Sequence, residues 1–202
     1  MARIWAGAVV LLAVSCVARA DDAEDKAVKF VEKLGGLVKR DEKLSGKPVV
    51  TVSLNSAKLT DADLKELAAF KSLKTLRLVN VEKLTDVGLK ELAALTTITE
   101  LDLTRTKVTD AGLKELAPLK NLTSLWLGET QVTDAGMKDV AALTSLTRLQ
   151  LDRTKLTDVG LKELAALKKL TSLGVGLSSG TTQVTEAGMK EFLKAVPKCK
   201  FR

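Results

Sequence analysis

Residues 108 to 127 read VTDAGLKELAPLKNLTSLWL, and this stretch decides the fold. Leu113, Leu116 and Leu119 stand three apart, which marks one face of a short helix. Leu125 and Leu127 stand two apart, which marks one face of a short strand. Thr109 and Asp110 sit just before the helix, where side-chain oxygens can accept hydrogen bonds from its free N–H groups and a carboxylate suits its positive end. The pattern does not say which of the two is the N-cap.

The stretch is one copy of a repeat. Thr-Asp recurs at Thr60-Asp61, Thr85-Asp86, Thr109-Asp110, Thr133-Asp134 and Thr157-Asp158, with Thr185-Glu186 as a sixth copy. The successive spacings are 25, 24, 24, 24 and 28 residues. Seven apolar positions keep register from Val108, Leu113, Leu116, Leu119, Leu122, Leu125 and Leu127 to Val132, Met137, Val140, Leu143, Leu146, Leu149 and Leu151. One such unit cannot bury its apolar face, whereas stacked units share a continuous core. The expected fold is therefore an α/β solenoid over residues 48–202, curved, with parallel strands on the concave face and short helices on the convex one. Gly88, Gly112, Gly136, Gly160 and Gly188 hold one place in the first helical turn. Glycine there costs about 1 kcal/mol of helix propensity against alanine, so close packing or an unusual backbone angle is expected to require it. Lys-Glu pairs such as Lys90-Glu91 and Lys114-Glu115 recur on the outer helices and read as a solvated face.

The frame LxxLxLxxTxVTDxGLKELxxL, over roughly residues 49 to 202, resembles the leucine-rich repeats of bacterial exported proteins. The resemblance implies a curved solenoid and a protein-binding role, with no catalytic residues to transfer. The chain departs from the usual pattern at the ladder position, where asparagine is common: Thr106, Thr130 and Thr154 stand there, with Thr182 after an insertion. A threonine hydroxyl still bonds to backbone.

The ends depart from the frame. Arg3, the apolar run Ile4–Val14 and Ala18-Arg19-Ala20 have the order of a secretory signal over residues 1–20, with cleavage expected before Asp21. The alternative is a lipoprotein signal with a lipid anchor at Cys16, although Ala13 is a poor match three residues before it. No later segment is apolar for long enough to span a bilayer, so no transmembrane segment is expected in the mature chain. Residues 21–47 are expected to cap the first repeat: Ala27, Phe30, Val31, Leu34 and Val38 have helical spacing, and Leu37–Lys39 and Pro48–Leu54 can pair as strands. At the other end Val196, Cys199 and Phe201 read as the last strand's inward positions, and four extra residues fall within 176–181.

Composition narrows the chemistry. The chain has no His and no Tyr, which removes the commonest general base and metal ligand. There is no HExxH and no phosphate-binding GxxxxGK[ST] loop, so no catalytic, metal or cofactor site is expected. Glu100 and Asp102 both point outward on one open strand, a setting that suits ionised, solvated carboxylates and not a general acid. Without residues 1–20 the chain keeps 30 basic and 25 acidic residues, a balance read as spread along the chain. Together with few aromatics, that argues against nucleic acid as a partner. Cys199 alone remains, so no internal disulfide forms, and it reads as a small core residue.

Strand alternation then selects the side chains of the concave face. Leu125 and Leu127 point inward, so Ser124, Trp126 and Gly128 point out. The central outward column reads Ser53, Arg77, Asp102, Trp126, Gln150, Gly174 and Lys200. Its flanks include Glu100, Arg105, Glu129, Arg148, Asp152 and Arg153. Mixed charges around one aromatic residue suit a protein partner better than a small-molecule pocket. Trp126 is the expected anchor, with stacking beneath Arg77 or Arg148 as the competing reading. A structural role in the cell envelope and carbohydrate binding on the Trp126 ring are the alternative functions.

Overall fold

A computed structural model describes residues 22–176 and 183–202. The expected signal and Cys16, and most of the 176–181 insertion with Thr182, lie outside the described residues. Helix α1 covers residues 22–33. Strands β1 (Leu37–Arg40) and β2 (Val49–Ser53) follow, then β3 (Thr75–Arg77), β4 (Glu100–Asp102), β5 (Ser124–Trp126), β6 (Arg148–Gln150), β7 (Ser172–Gly174) and β8 (Lys200–Phe201). They form one open sheet in sequence order, with β1 antiparallel to β2 and all later pairs parallel. Helical turns fill the intervals: α2 (Asp86–Leu92), α3 (Asp110–Leu113), α4 (Met137–Ala141), α5 (Asp158–Glu163) and α6 (Glu186–Ala195). The architecture is a leucine-rich-repeat solenoid.

Several turns are tighter than α. Residues Asp61–Ala69, Lys114–Leu116, Asp134–Gly136 and Leu164–Ala166 are 3₁₀. The expected single helix face of Leu113, Leu116 and Leu119 is instead divided: Leu113 ends α3, Leu116 ends the 3₁₀ turn and Leu119 follows it outside the helix, and all three are buried.

The core is a set of rows, not a cluster at one centre. Val52, Leu76, Leu101, Leu125, Leu149 and Leu173 stand side by side in strand register. Each is at most 2% exposed, so every strand contributes an equivalent buried side chain. Leu54, Leu78, Leu103, Leu127, Leu151 and Val175 form a second buried row two residues on. Thr106, Thr130 and Thr154 lie under the turn that follows, each hydroxyl donating to the carbonyl three residues back at 2.6–2.7 Å. The threonines thus satisfy backbone groups within their own unit.

The Thr-Asp pair divides its work. Thr85, Thr109, Thr133 and Thr157 are N-caps, each hydroxyl accepting from the N–H two residues on. The aspartate serves the next unit instead. Asp110 accepts from the Thr133 N–H at 2.8 Å and from its hydroxyl at 2.7 Å. Asp61, Asp86, Asp134 and Asp158 bind Thr85, Thr109, Thr157 and Thr185 in the same way. This ladder explains the repeated glycine. A Cβ on Gly136 would collide with Asp110 Oδ1 and Leu113 Cδ1, and Gly112 and Gly160 meet the same obstacle from Asp86 and Asp134. Close packing, not an unusual backbone angle, requires it. Asp63 stands at the head of the series and closes on Thr60, accepting from its hydroxyl at 2.6 Å and its N–H at 2.8 Å. Those two bonds hold the Asp63 carboxyl below the usual carboxylate range.

One recurring feature gave no sequence signal. Ser56, Asn80, Arg105, Glu129 and Arg153 follow their strands with φ between 55° and 59°, the left-handed region. The N–H groups of Asn80, Arg105 and Glu129 each donate to the next unit's carbonyl at 2.8–2.9 Å. Inter-unit bonds therefore hold the conformation against its usual cost of about 1–2 kcal/mol.

The last unit corrects the expected register. Lys200 pairs with Ser172 and Phe201 with Leu173, so Lys200 belongs beside Ser172 and not at the end of the column containing Trp126. Arg202 takes the place beside Gly174, its N–H donating to the Leu173 carbonyl at 3.0 Å. The cause is a missing residue: Leu170 and Leu173 are three apart, whereas Cys199 and Phe201 are two apart. Cys199 is buried before the strand, and burial pushes its thiol up to about 11.

Candidate binding face

Strand register sets two outward rows on the sheet. Thr75, Glu100, Ser124, Arg148, Ser172 and Lys200 form one, and Arg77, Asp102, Trp126, Gln150 and Gly174 the other. Asp102 and Gln150 are the lateral neighbours of Trp126, as alternation places them.

Arg148 organises the middle of this face. Its side chain turns back across β5, with Cζ 5.8 Å from the Trp126 ring centroid. Its Nε donates to Ser124 Oγ at 2.8 Å, and its Nη2 reaches Glu100 Oε1, two strands away, at 2.8 Å. Thr75 Oγ1 lies 3.4 Å from the other oxygen of Glu100. Trp126 is consequently half-buried. The competing reading of the ring, stacking under an arginine, describes its free geometry. Ser124, expected outward and open, is fully covered by this arrangement. Alternation gives its direction, but the reach of an arginine one strand away decides its exposure.

Two glycines are also covered where alternation expected open surface. Gly128 is buried, with the Asp152 carbonyl 3.5 Å from where its Cβ would stand. Gly174 is buried because the Gln150 amide and the Asp152 carboxylate lie over it. Asp102 closes the end of β4, Oδ1 accepting from the Thr104 N–H at 3.0 Å and its hydroxyl at 2.6 Å. Arg77 is exposed and has no ion-pair partner among the described residues.

Along the turns beside the sheet, Arg105 grips Glu129 through two bonds, Nε to Oε2 at 3.0 Å and Nη2 to Oε1 at 2.9 Å. Arg153 approaches Glu129 Oε1 at 3.4 Å. The Arg105 hydrogen bond, with the charges of Arg105 and Arg153, holds the Glu129 carboxyl below its usual value. The structure thus groups the sequence-selected residues into an Arg148–Trp126–Glu100 set on the sheet and an Arg105–Glu129–Arg153 set on the turns. Gln150 and Asp152 lie over Gly174, and Arg77 stands alone. Thr75 and Ser124 take part as acceptor or donor and were not singled out, though Ser124's outward position was the available signal.

Removing the arginine tests the central set. With Trp5→Phe as background, so that Trp126 alone emits, Arg148→Ala should raise acrylamide quenching of its fluorescence. Stability should change by about 1 kcal/mol or less, because an exposed ion pair contributes little. Unchanged quenching would show that the guanidinium does not cover the ring.

Two stretches, residues 94–117 and 142–165, match the family model described as Leucine Rich repeat. Similar folds occur in an internalin (InlF) from Listeria monocytogenes, with TM-score 0.52 and 23% identity over 75% of this chain and 46% of that one. A leucine-rich-repeat protein of Leptospira interrogans gives TM-score 0.54 and 24% identity over 76% of this chain and 36% of its own. The chain therefore spans less than half the length of either structure. No curated protein matches the sequence. The matched stretches are leucine-rich repeats, and the fold that contains them is a leucine-rich-repeat solenoid.

Proposed function

We propose that this solenoid is a non-catalytic binding module that presents its concave sheet to a protein partner outside the cytoplasm. The observation that carries the reading is the outward strip through Arg77, Asp102, Trp126 and Gln150, with the half-buried Trp126 ring framed by Arg148. An aromatic with an adjacent arginine at the middle of a polar strip has the composition of a protein-interface anchor. The Arg148 side chain beside the ring is already held by Glu100 and Ser124, which limits the ordering cost of association there. Export is supported by the charged, apolar and small-residue order of residues 1–20, and residues 21–47 serve as a cap. No helix among the described residues is long and apolar enough to cross a membrane.

Capture from an envelope extract with wild-type and Trp126→Ala baits tests the reading. Wild type should retain a specific protein that the variant loses, a weakening of at least about 2 kcal/mol for an anchor of this kind. An identical set of captured proteins would favour a structural envelope role instead. Release of wild-type bait by simple sugars would point to carbohydrate stacking on the ring.

A further inference from the structure

Basic charge is concentrated at one end of the solenoid. Residues 21–163 carry 23 basic and 23 acidic side chains, whereas residues 164–202 carry seven basic and two acidic. The even spread of charge expected from the Lys-Glu pairs holds only as far as Glu163. Both acids of the final segment are already matched, Glu186 to Lys190 at 2.8 Å and Glu191 to Lys194 at 2.6 Å. Lys168 points its Nζ at the Ala195 carbonyl at the end of α6, 3.3 Å away. That leaves Lys169, Lys198, Lys200 and Arg202, all exposed and without an acidic partner among the described residues.

These four belong to the concave side and its adjoining rim. Lys169 and Lys198 precede β7 and β8 at the same end of neighbouring strands. Lys200 stands beside Ser172 in the row that contains Arg148. Ser172 is small and leaves Lys200 continuous with the row of Arg148, whereas Gly174, beside Arg202, is covered by the Gln150 amide and the Asp152 carboxylate. Arg148 has its charge matched by Glu100, so in its own row the unmatched charge begins at Lys200.

We propose that the β7–β8 end of the concave face takes an acidic segment of the same partner protein that contacts Trp126; this rests on the reading of the concave sheet given above. Three strand spacings separate β5 from β8, about 14 Å. An extended peptide covers that in about four to five residues, so the partner carries carboxylates at that distance from the group packed on the ring. Continuity of the Arg148–Ser172–Lys200 row with the concave strip favours a polypeptide over a bilayer, which would meet a convex or flat surface.

The probe is a fluorophore-labelled hexaglutamate peptide titrated against the full chain at low ionic strength, where exposed charges are least screened. The Lys169→Glu/Lys198→Glu/Lys200→Glu variant should lose at least about tenfold in affinity, consistent with a few-fold per exposed pair. Lys65→Glu/Lys90→Glu/Lys114→Glu makes the same change in net charge on the outer helices and should lose about twofold or less. A glutamine version of the first triple variant, checked for folding by circular dichroism, guards against a folding defect and should also weaken binding.

Equal losses in the two charge-reversed variants would reduce the effect to net charge and overturn the proposal. Failure of wild type to bind hexaglutamate would overturn it too, whether or not phosphatidylglycerol vesicles bind through the same lysines. If Trp126→Ala abolishes partner capture while the corner variant captures normally, the concave reading stands and the acidic-segment inference fails. If hexaglutamate binding obeys the variants but no partner depends on Trp126, the corner binds acidic segments and the shared partner is refuted.

Discussion

Leu149→Ala is expected to cost about 2–5 kcal/mol in a denaturant titration, and Gln150→Ala about 0.5 kcal/mol or less. The two residues are adjacent in β6 and face opposite sides of the sheet. Leu149 is 2% exposed and stands between Leu125 and Leu173 in the buried row, so truncation opens a void that its neighbours in register cannot close. Gln150 lies over Gly174 on the outer side and contributes mainly local contact. Because the units are equivalent, Leu125→Ala should fall within the same range. Equal losses at Leu149 and Gln150 would place the strand in the wrong register.

Gly136→Ala should destabilise the protein by about 1–3 kcal/mol, although glycine to alanine in a helix ordinarily gains about 1 kcal/mol. The added methyl would occupy the space of Asp110 Oδ1 and Leu113 Cδ1. Moving Asp110 aside breaks its two bonds to Thr133, and hydrogen bonds to a charged group contribute about 1.5–3 kcal/mol each. Steric conflict and lost bonds therefore outweigh the gain in propensity. In a double-mutant cycle, Asp110→Ala should make Gly136→Ala less harmful, since the carboxylate is gone and only the end of the flexible Leu113 side chain remains in the way. A neutral or stabilising Gly136→Ala in the wild-type background would remove the ladder as the reason for the glycine.

The fold was legible in the sequence because a repeat states its own register several times. The three-residue and two-residue spacings of the leucines gave each unit its helical turn and its strand, and Leu101, Leu125, Leu149 and Leu173 are buried in line. The hydrogen-bond partner of the aspartate was not legible, since Asp110 bonds to a residue 23 positions later and nothing within one unit indicates it. The left-handed turns were hidden for a related reason: Arg105 and Glu129 carry no glycine-like signature, and the conformation is held by the neighbouring unit.

On the candidate face, direction was readable and coverage was not. Alternation aimed Ser124, Trp126 and Gly174 outward, but the Arg148 guanidinium and the Gln150 amide, both from β6, cover them to different degrees. Continuing the repeat frame places the last strand one step off, because the chain has one residue fewer between Cys199 and Phe201 than between Leu170 and Leu173.

Position-specific photo-crosslinking in the producing cell tests the central claim most directly. A photo-reactive amino acid placed at Gln150, beside Trp126 on the concave strip, is compared with one at Lys114 on the outer side. Protein binding through the concave face predicts a discrete protein adduct from the Gln150 site and none from the Lys114 site. An adduct from Lys114 with none from Gln150 would contradict it.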